Sequence, residues 1–404
     1  MKTMNPKRLL CLAASHFQVP LIRAAKERGL YVITCDYLPA NPGHALADES
    51  HDVSTTDEEA VLALARQLQI DAVIAYASDP AVPTAARVAA ELGLPGPSVE
   101  TIRKLAFKQE FRHLQTNLGL PCPKAIEFTD YVGLLKASKE VGFSAVVKPV
   151  DASGSKGVRR ADSEADLALA FADAMRFSRK RIGIIEEFIE AMGLQIHGDA
   201  FVADGRVAFA CLGDHRFAQI DSTYTPVSTM LPSAHPSGII ETVVRQVDAI
   251  IAAAGYRCGP INIEARVDKL GRVVIIEVGP RNGGNFVPQL VQHATGVDMV
   301  GWCLQMALGE PLNPVPNGIF CCRGCYSHYI LHSTKPGRFV DVTFSPHLQS
   351  RILEMHLFKR PGDQISEFLG SHATIGVLLL RYRDRADMMD TLDRIHEHVS
   401  LRIE

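Results

Sequence analysis

The chain has 404 residues, a formal net charge of −3, 47% hydrophobic residues and 22% charged residues. At roughly 150 residues per domain the length gives about two or three domains with sizeable cores, and the composition excludes general disorder. The near-neutral balance supplies no long-range field for nucleic acid or an anionic membrane, so phosphates have to be held by a few placed groups.

The first fifteen residues, with Lys/Arg before Leu-Leu-Cys-Leu-Ala-Ala, imitate a signal peptide. The apolar run is shorter than a usual signal core and a helical pattern follows at once, so Arg8 to Ala14 is read as a buried strand. Val19 to Arg28 is a helix, Tyr31 to Asp36 a strand, Thr56 to Gln69 a helix, Ala72 to Tyr76 a strand and Ala85 to Leu92 a helix closed by Gly93. This alternation predicts a parallel sheet covered by helices, with a ligand-facing edge at the strand ends Ala14, Asp36 and Ser78. The turn Ala14-Ser-His-Phe-Gln18 has none of the glycines of a dinucleotide fingerprint. It is therefore read as a substrate or interdomain surface.

Pro95 to Ser98 reads as a linker, and one helix is expected from Val99 to Leu118 before Gly119-Leu-Pro-Cys-Pro123. Strands dominate from Ala145, with helices near 163–177 and 239–254. The region after about 305 carries strands near 319–332 and 374–382 and a helix near 384–398. No stretch approaches the ~20 apolar residues of a membrane helix.

Three segments carry chemistry. In the first, Val146-Val-Lys-Pro leads into Ser153-Gly-Ser-Lys-Gly157. Small flexible residues let backbone N–H groups approach phosphate oxygens, and Lys148 supplies a point charge. A plain hairpin turn reads equally well. In the second, two strands joined at Lys269-Leu-Gly-Arg272 carry Glu264 and Glu277. Carboxylates brought together by a hairpin suit Mg²⁺ shared with phosphates, while salt bridges to Arg266 or Arg281 are the plainer alternative. In the third, Ile184-Ile-Glu-Glu-Phe-Ile189 is a strand running into a hinge that could offer backbone groups to adenine. Alone, it reads as an ordinary strand end.

Taken in order, these segments resemble the ATP-grasp superfamily. Lys148 before the glycine-rich loop, the hinge Glu186-Glu-Phe-Ile189 and the strand end Glu277-Val-Gly-Pro-Arg281 match its motifs. So do Lys108-Gln-Glu-Phe-Arg112 and Gly119-Leu-Pro-Cys-Pro123. Ser78 to Ala86 and His197-Gly-Asp199 look like a bacterial carboxylate–amine ligase subgroup similar to the carbamoyl-phosphate synthase large subunit.

The resemblance implies an α/β and α+β protein. A Rossmann-like pre-ATP-grasp domain at 1–98 would precede an ATP-grasp domain at 99–308, whose two α+β subdomains clasp ATP, and a small C-terminal lobe at 309–404 would follow. It implies that Lys108 and Lys148 contact phosphates and that Ser153, Ser155 and Gly157 close over them. Glu186, Glu187, Phe188 and Ile189 would form the adenine hinge. Gln195 falls near a ribose-binding position. Glu264 and Glu277 would hold Mg²⁺ (or Mn²⁺), and Arg281, with Lys148 as the other catalytic residue, would face the reacting carboxylate or acyl phosphate. Gly279 stands where the family commonly has a metal-binding Asn, and Asn282 is the nearby substitute.

The implied reaction is ATP-dependent joining of a small-molecule carboxylate to an amine in the cytoplasm, by a protein acting as a homodimer, with neither nucleic acid nor membrane as partner. Alternatives are a bicarbonate-activating carboxylase and a catalytically silent nucleotide-binding module. His215, Arg216 and Asp221 read either as acceptor contacts or as a surface loop. Nine cysteines, at 11, 35, 122, 211, 258, 303, 321, 322 and 325, lie mostly in apolar stretches, as reduced core thiols do. Cys321-Cys-Arg-Gly-Cys325 with His328 and His332 invites a zinc site, but strand-like alternation sets the histidines too far apart, which favours structural thiols.

Overall fold

The computed structural model describes residues 5–404 except 153, 155, 219–224, 315, 317, 320 and 321, and leaves the side chains of 318, 319 and 371 aside. Its first part alternates β1 (Arg8–Leu12), α1 (Val19–Glu27), β2 (Tyr31–Cys35), β3 (Glu49–His51), α2 (Glu58–Leu68), β4 (Ala72–Ala75) and α3 (Val82–Leu92). The strands run parallel in the order β3-β2-β1-β4. Element ends fall within three residues of those read from periodicity, and the short β3 is additional. Leu9, Leu10 and Leu12 are fully buried because helices cover both faces. Asp57 caps α2 by accepting from the Ala60 amide.

The single helix expected at 99–118 is two. α4 (Val99–Ala106) and α5 (Lys108–Asn117) are separated by Phe107, whose backbone is extended at φ −94° and ψ 120°. Lys180 lies 4.1 Å above the Phe107 ring, a tertiary contact that sits on the break. Lys108 therefore opens a helix, and its Nζ reaches the Ala152 carbonyl at 3.5 Å.

Next come β5 (Ala125–Phe128), α6 (Tyr131–Val141), β6 (Ala145–Pro149), β7 (Arg159–Ala161), α7 (Leu167–Phe177) and β8 (Gly183–Glu187). They form an antiparallel sheet, β5-β8-β6-β7, whose core joins Phe128, Leu134, Val147, Leu167 and Ile185.

The remaining chain supplies β9 (Gln195–Ala203), β10 (Arg206–Phe217), β11 (Pro226–Leu231), α8 (Ser237–Ala254), β12 (Gly259–Val267) and β13 (Val273–Gly279). It continues through α9 (Val287–Thr295), α10 (Met299–Ala307), β14 (Gly318–Ile319), β15 (Cys325–Leu331), β16 (Gly337–Phe344), α11 (Pro346–Gln349) and β17 (Ile352–Leu357). It closes with β18 (Gln364–Ile365), β19 (Gly376–Tyr382), α12 (Arg385–Asp393), α13 (Ile395–His398) and β20 (Val399–Ile403).

A nine-stranded sheet runs β13-β12-β9-β10-β11-β15-β19-β17, with β14 beside β10. Thus β15, β17 and β19, from the segment expected as a C-terminal lobe, extend the sheet begun by β9–β13. Only β18-β16-β20 forms a separate three-stranded sheet there. One core spans these parts, joining Leu9 and Ile74 to Phe201, Trp302 and Val377. Among the described residues no helix is long and apolar enough to cross a membrane.

Candidate active site

A cleft of about 300 Å³ opens where the small antiparallel sheet faces the nine-stranded one, with Lys108, Lys148, Glu264, Glu277 and Arg281 on its walls. That volume is at the lower end of ordinary ligand pockets. Antiparallel register builds its floor, because directly paired residues share a face. Glu277 of β13 pairs with Glu264 of β12, which pairs with His197 of β9. Gln195, two residues before His197 and so on the same face, pairs with His215 of β10. That row runs on through Thr229 to His328.

The two glutamates lie side by side as the hairpin predicts. Burial, then the neighbouring Glu277, lifts the Glu264 carboxyl to about 7. Among the described residues no three His, Cys, Asp or Glu side chains gather as a metal cluster. The pair is therefore the protein's own oxygen donor set, and a divalent ion shared with phosphates fits it, relieving the like-charge contact.

Opposite lies a buried ion triad. Arg112 of α5 donates from Nε and Nη2 to the two oxygens of Glu186, at 3.1 and 3.2 Å, and Lys148 pairs with Oε2 of the same carboxylate. Burial pushes the Glu186 carboxyl up, but the Arg112 and Lys148 charges outweigh it and hold it at about 2. Glu186, expected among the nucleotide contacts, is thus committed to fixing Lys148 and Arg112. Gln195 is committed as well. Its Nε2 donates to Glu264 Oε2 at 2.9 Å and its Oε1 accepts from Arg266 Nε at 2.8 Å, on the wall of the cleft.

At the hinge, the Glu187 amide donates to the Lys124 carbonyl and the Ile189 carbonyl accepts from Arg266 Nη1. Phe188 carries the guanidinium of Arg160 at 4.3 Å and that of Arg266 at 5.1 Å from its ring centre. In the glycine-rich loop, Gly157 adopts φ +70°, and a Cβ there would come within 2.8 Å of the Asp173 carbonyl, so glycine is required. Ser153, Ser155 and Asp221 lie outside the described residues.

Arg281 is not a free cation. Asp79, at the carboxyl edge of the first sheet, takes its Nε and Nη2 in a bidentate pair at 2.6 and 2.8 Å, while Nη1 donates to the Asn282 carbonyl. Asp79 and Glu277 raise the Arg281 pKa against its burial. Asn282 does not serve as the expected metal ligand. It is fully buried, it does not line the cleft, and its Oδ1 accepts from Cys303 Sγ at 3.1 Å. Asn262 lines the cleft instead, donating to His197 Nε2 at 3.0 Å and to Asp199 Oδ1 at 2.8 Å. Because that imidazole nitrogen accepts, the proton sits on Nδ1 and is donated to Thr229 Oγ1 at 3.0 Å. Asp199, lifted to about 6 by burial, also accepts from the Gly283 amide and so anchors the loop that carries Arg281.

No role was expected for Asp79, Arg112, Asp199 or Asn262, although Asp79, Arg112 and Asp199 stood inside quoted motifs, and Arg266 was expected only as a salt-bridge partner of the glutamates. The zinc reading gains no support. Cys322 Sγ lies 3.8 Å from Cys211 Sγ, the cysteines described carry free thiols, and His328 sits within a strand of the large sheet.

Residues 141–289 match the model of the ATP-grasp domain. That segment, less than half of the chain, is similar to the ATP-grasp domain. The chain is 30% identical over 305 residues to the uncharacterized protein y4rH of Sinorhizobium fredii, covering 72% of this chain and 61% of the other. It is 27% identical over 232 residues to the carbamoyl phosphate synthase large chain of Thermus thermophilus, covering 55% of this chain and 22% of the other. The chain thus spans less than two thirds of the length of either relative. The L-amino acid ligase from Bacillus licheniformis superposes over 100% of both chains with a TM-score of 0.82 at 22% identity, so the two share the ATP-grasp fold.

Proposed function

We propose that the protein is an ATP-dependent carboxylate–amine ligase working through an acyl phosphate. The observation that carries this reading is the Glu264–Glu277 pair facing Lys108, Lys148 and Arg281 across one cleft. A fold shared with an L-amino acid ligase supports it. A carboxylate oxygen of the substrate would form a bond to the γ-phosphorus of ATP as the bond to the β–γ bridging oxygen breaks and ADP leaves. The amine nitrogen would then bond to the acyl carbon, expelling phosphate and losing a proton.

Lys108 and Lys148 would neutralise phosphate oxygens, and Ser153, Ser155 and Gly157 would cover them. The Glu187 carbonyl and Ile189 amide would read adenine, since their opposite groups are engaged, with Phe188 beside the base. Glu264 and Glu277 would hold Mg²⁺ or Mn²⁺, which when bound offsets charge on the transferring phosphoryl group. Arg281 would meet the acyl phosphate as its pair with Asp79 rearranges. The working units would be 1–98, 99–308 and 309–404, the last sharing a sheet with the second. Free thiols support a reducing cytoplasm, and a homodimer is the proposed assembly.

A phosphate-release screen over amino acid pairs, with and without bicarbonate, tests this. Release is expected only when a carboxylate and an amine are both present, and Glu277→Gln is expected to lower it by about 100-fold or more. Release on bicarbonate alone would replace ligation with carboxylation.

A further inference from the structure

The cleft changes character along the sheet. Its β13 and β12 end carries carboxylates. Two strands on, about 10 Å away, β10 supplies His215 and Phe217, Thr225 precedes β11, Pro226 opens it, and Ile330 follows on β15. At this end buried polar atoms have no partner. His215 and Thr225 are 4% and 2% exposed, yet His215 Nδ1 and Thr225 Oγ1 make no hydrogen bond. Asn285, also on the wall, has a buried Oδ1 without a donor. Its backbone and that of Phe286 are left-handed, at φ 54° and 59°, an unfavourable conformation for residues with a Cβ. Each unanswered buried group is destabilising. Three on the walls of one cleft mark a place where a ligand supplies the partners.

The chemistry of that ligand follows from the groups. The His215 ring, stacked 3.8 Å from that of His197, is neutral, because burial and its histidine neighbours hold its pKa well below the ordinary one. A hydroxyl, a neutral imidazole and an amide oxygen offer both donors and acceptors but no charge.

We propose that His215, Thr225 and Asn285 form a subsite for an uncharged hydrogen-bonding group, a hydroxyl or a carboxamide, carried by the carboxylate substrate. This rests on the ligase reading for where the reacting carboxylate lies. Phe217 and Ile330 line the same cleft, so carbon flanks the group it takes.

The test is calorimetric binding of size-matched carboxylates, hydroxyl- or amide-bearing against aliphatic, to the full chain with Mg²⁺ and a non-hydrolysable ATP analogue. The polar members are expected to bind about tenfold more tightly. His215→Phe, which keeps the ring stack, and Thr225→Val, which keeps the shape, should each erase most of that preference while leaving nucleotide affinity unchanged. Equal or tighter binding of the aliphatic members overturns the subsite. So does a polar preference that both variants retain, since the orphaned atoms would then serve water alone. Phosphate release read in parallel separates the two proposals. Release driven by aliphatic carboxylates only would sink the subsite and leave ligation standing. A variant-sensitive polar preference with no release for any amine would sink ligation and leave the subsite.

Discussion

The two ends of the cleft treat burial in opposite ways. At the β6–β8 end, Glu186, Arg112 and Lys148 have side chains no more than 11% exposed, and each charge is answered by another. At the β10–β11 end, His215 and Thr225 are as deeply buried, and His215 Nδ1 and Thr225 Oγ1 have no partner. The first end is complete without a ligand and fixes a lysine in place. The second is held neutral by its surroundings and left for something else to satisfy. Buried polarity therefore has two meanings in one site, and the presence or absence of a protein partner tells them apart.

The largest expected effect lies at the complete end. Glu186→Ala strands two buried cations and should lower the unfolding free energy by about 3–5 kcal/mol, measured by denaturant titration. A loss below about 1 kcal/mol would mean the triad relaxes into solvent, and the contrast between the ends would collapse.

A middle-sized effect belongs to His328. Burial holds its imidazole at about 3, below the ordinary 6.5. The unfolded chain therefore takes up the proton first, and stability falls as pH drops from about 6.5 toward 3. Between pH 7 and pH 5 this one group should cost about 2 kcal/mol. Replacing it by Phe should flatten the acid limb of the stability curve by that amount. An unchanged limb would show that the ring finds a partner when protonated.

The smallest effect is expected at Gly279. A Cβ there would lie 3.4 Å from Asp79 Oδ1 and 3.5 Å from the Arg281 guanidinium carbon, ordinary contacts. Gly279→Ala should shift stability by no more than about 0.5 kcal/mol. A loss above about 2 kcal/mol would show that the charged end is packed as tightly as the glycine-rich loop at Gly157.

The alternation of the first hundred residues was legible because continuous apolar strands and amphipathic helices carry strong periods. β3 was not, since three polar residues carry none. Nor was the break at Phe107, where the sequence is compatible with helix and the Lys180 contact comes from far along the chain. In the site, Lys148 and Glu277 stood out as charges ending apolar strands. Asp79 did not, because its partner is 202 residues away, and neither did the role of Arg112, 74 residues from Glu186. Asn282 misled for the same reason. Proximity along the chain placed it with the glutamates, but the turn after β13 points it at Cys303. Local pattern shows which residues are unusual, and only the fold shows what they face.

The Asp79–Arg281 pair bears on how the molecule can be taken apart. A fragment starting at residue 99 would keep the motifs of the nucleotide site but lose the anion that holds its arginine. That guanidinium would then recruit sulfate or phosphate from the buffer, and affinities measured on the fragment would describe a different electrostatic object.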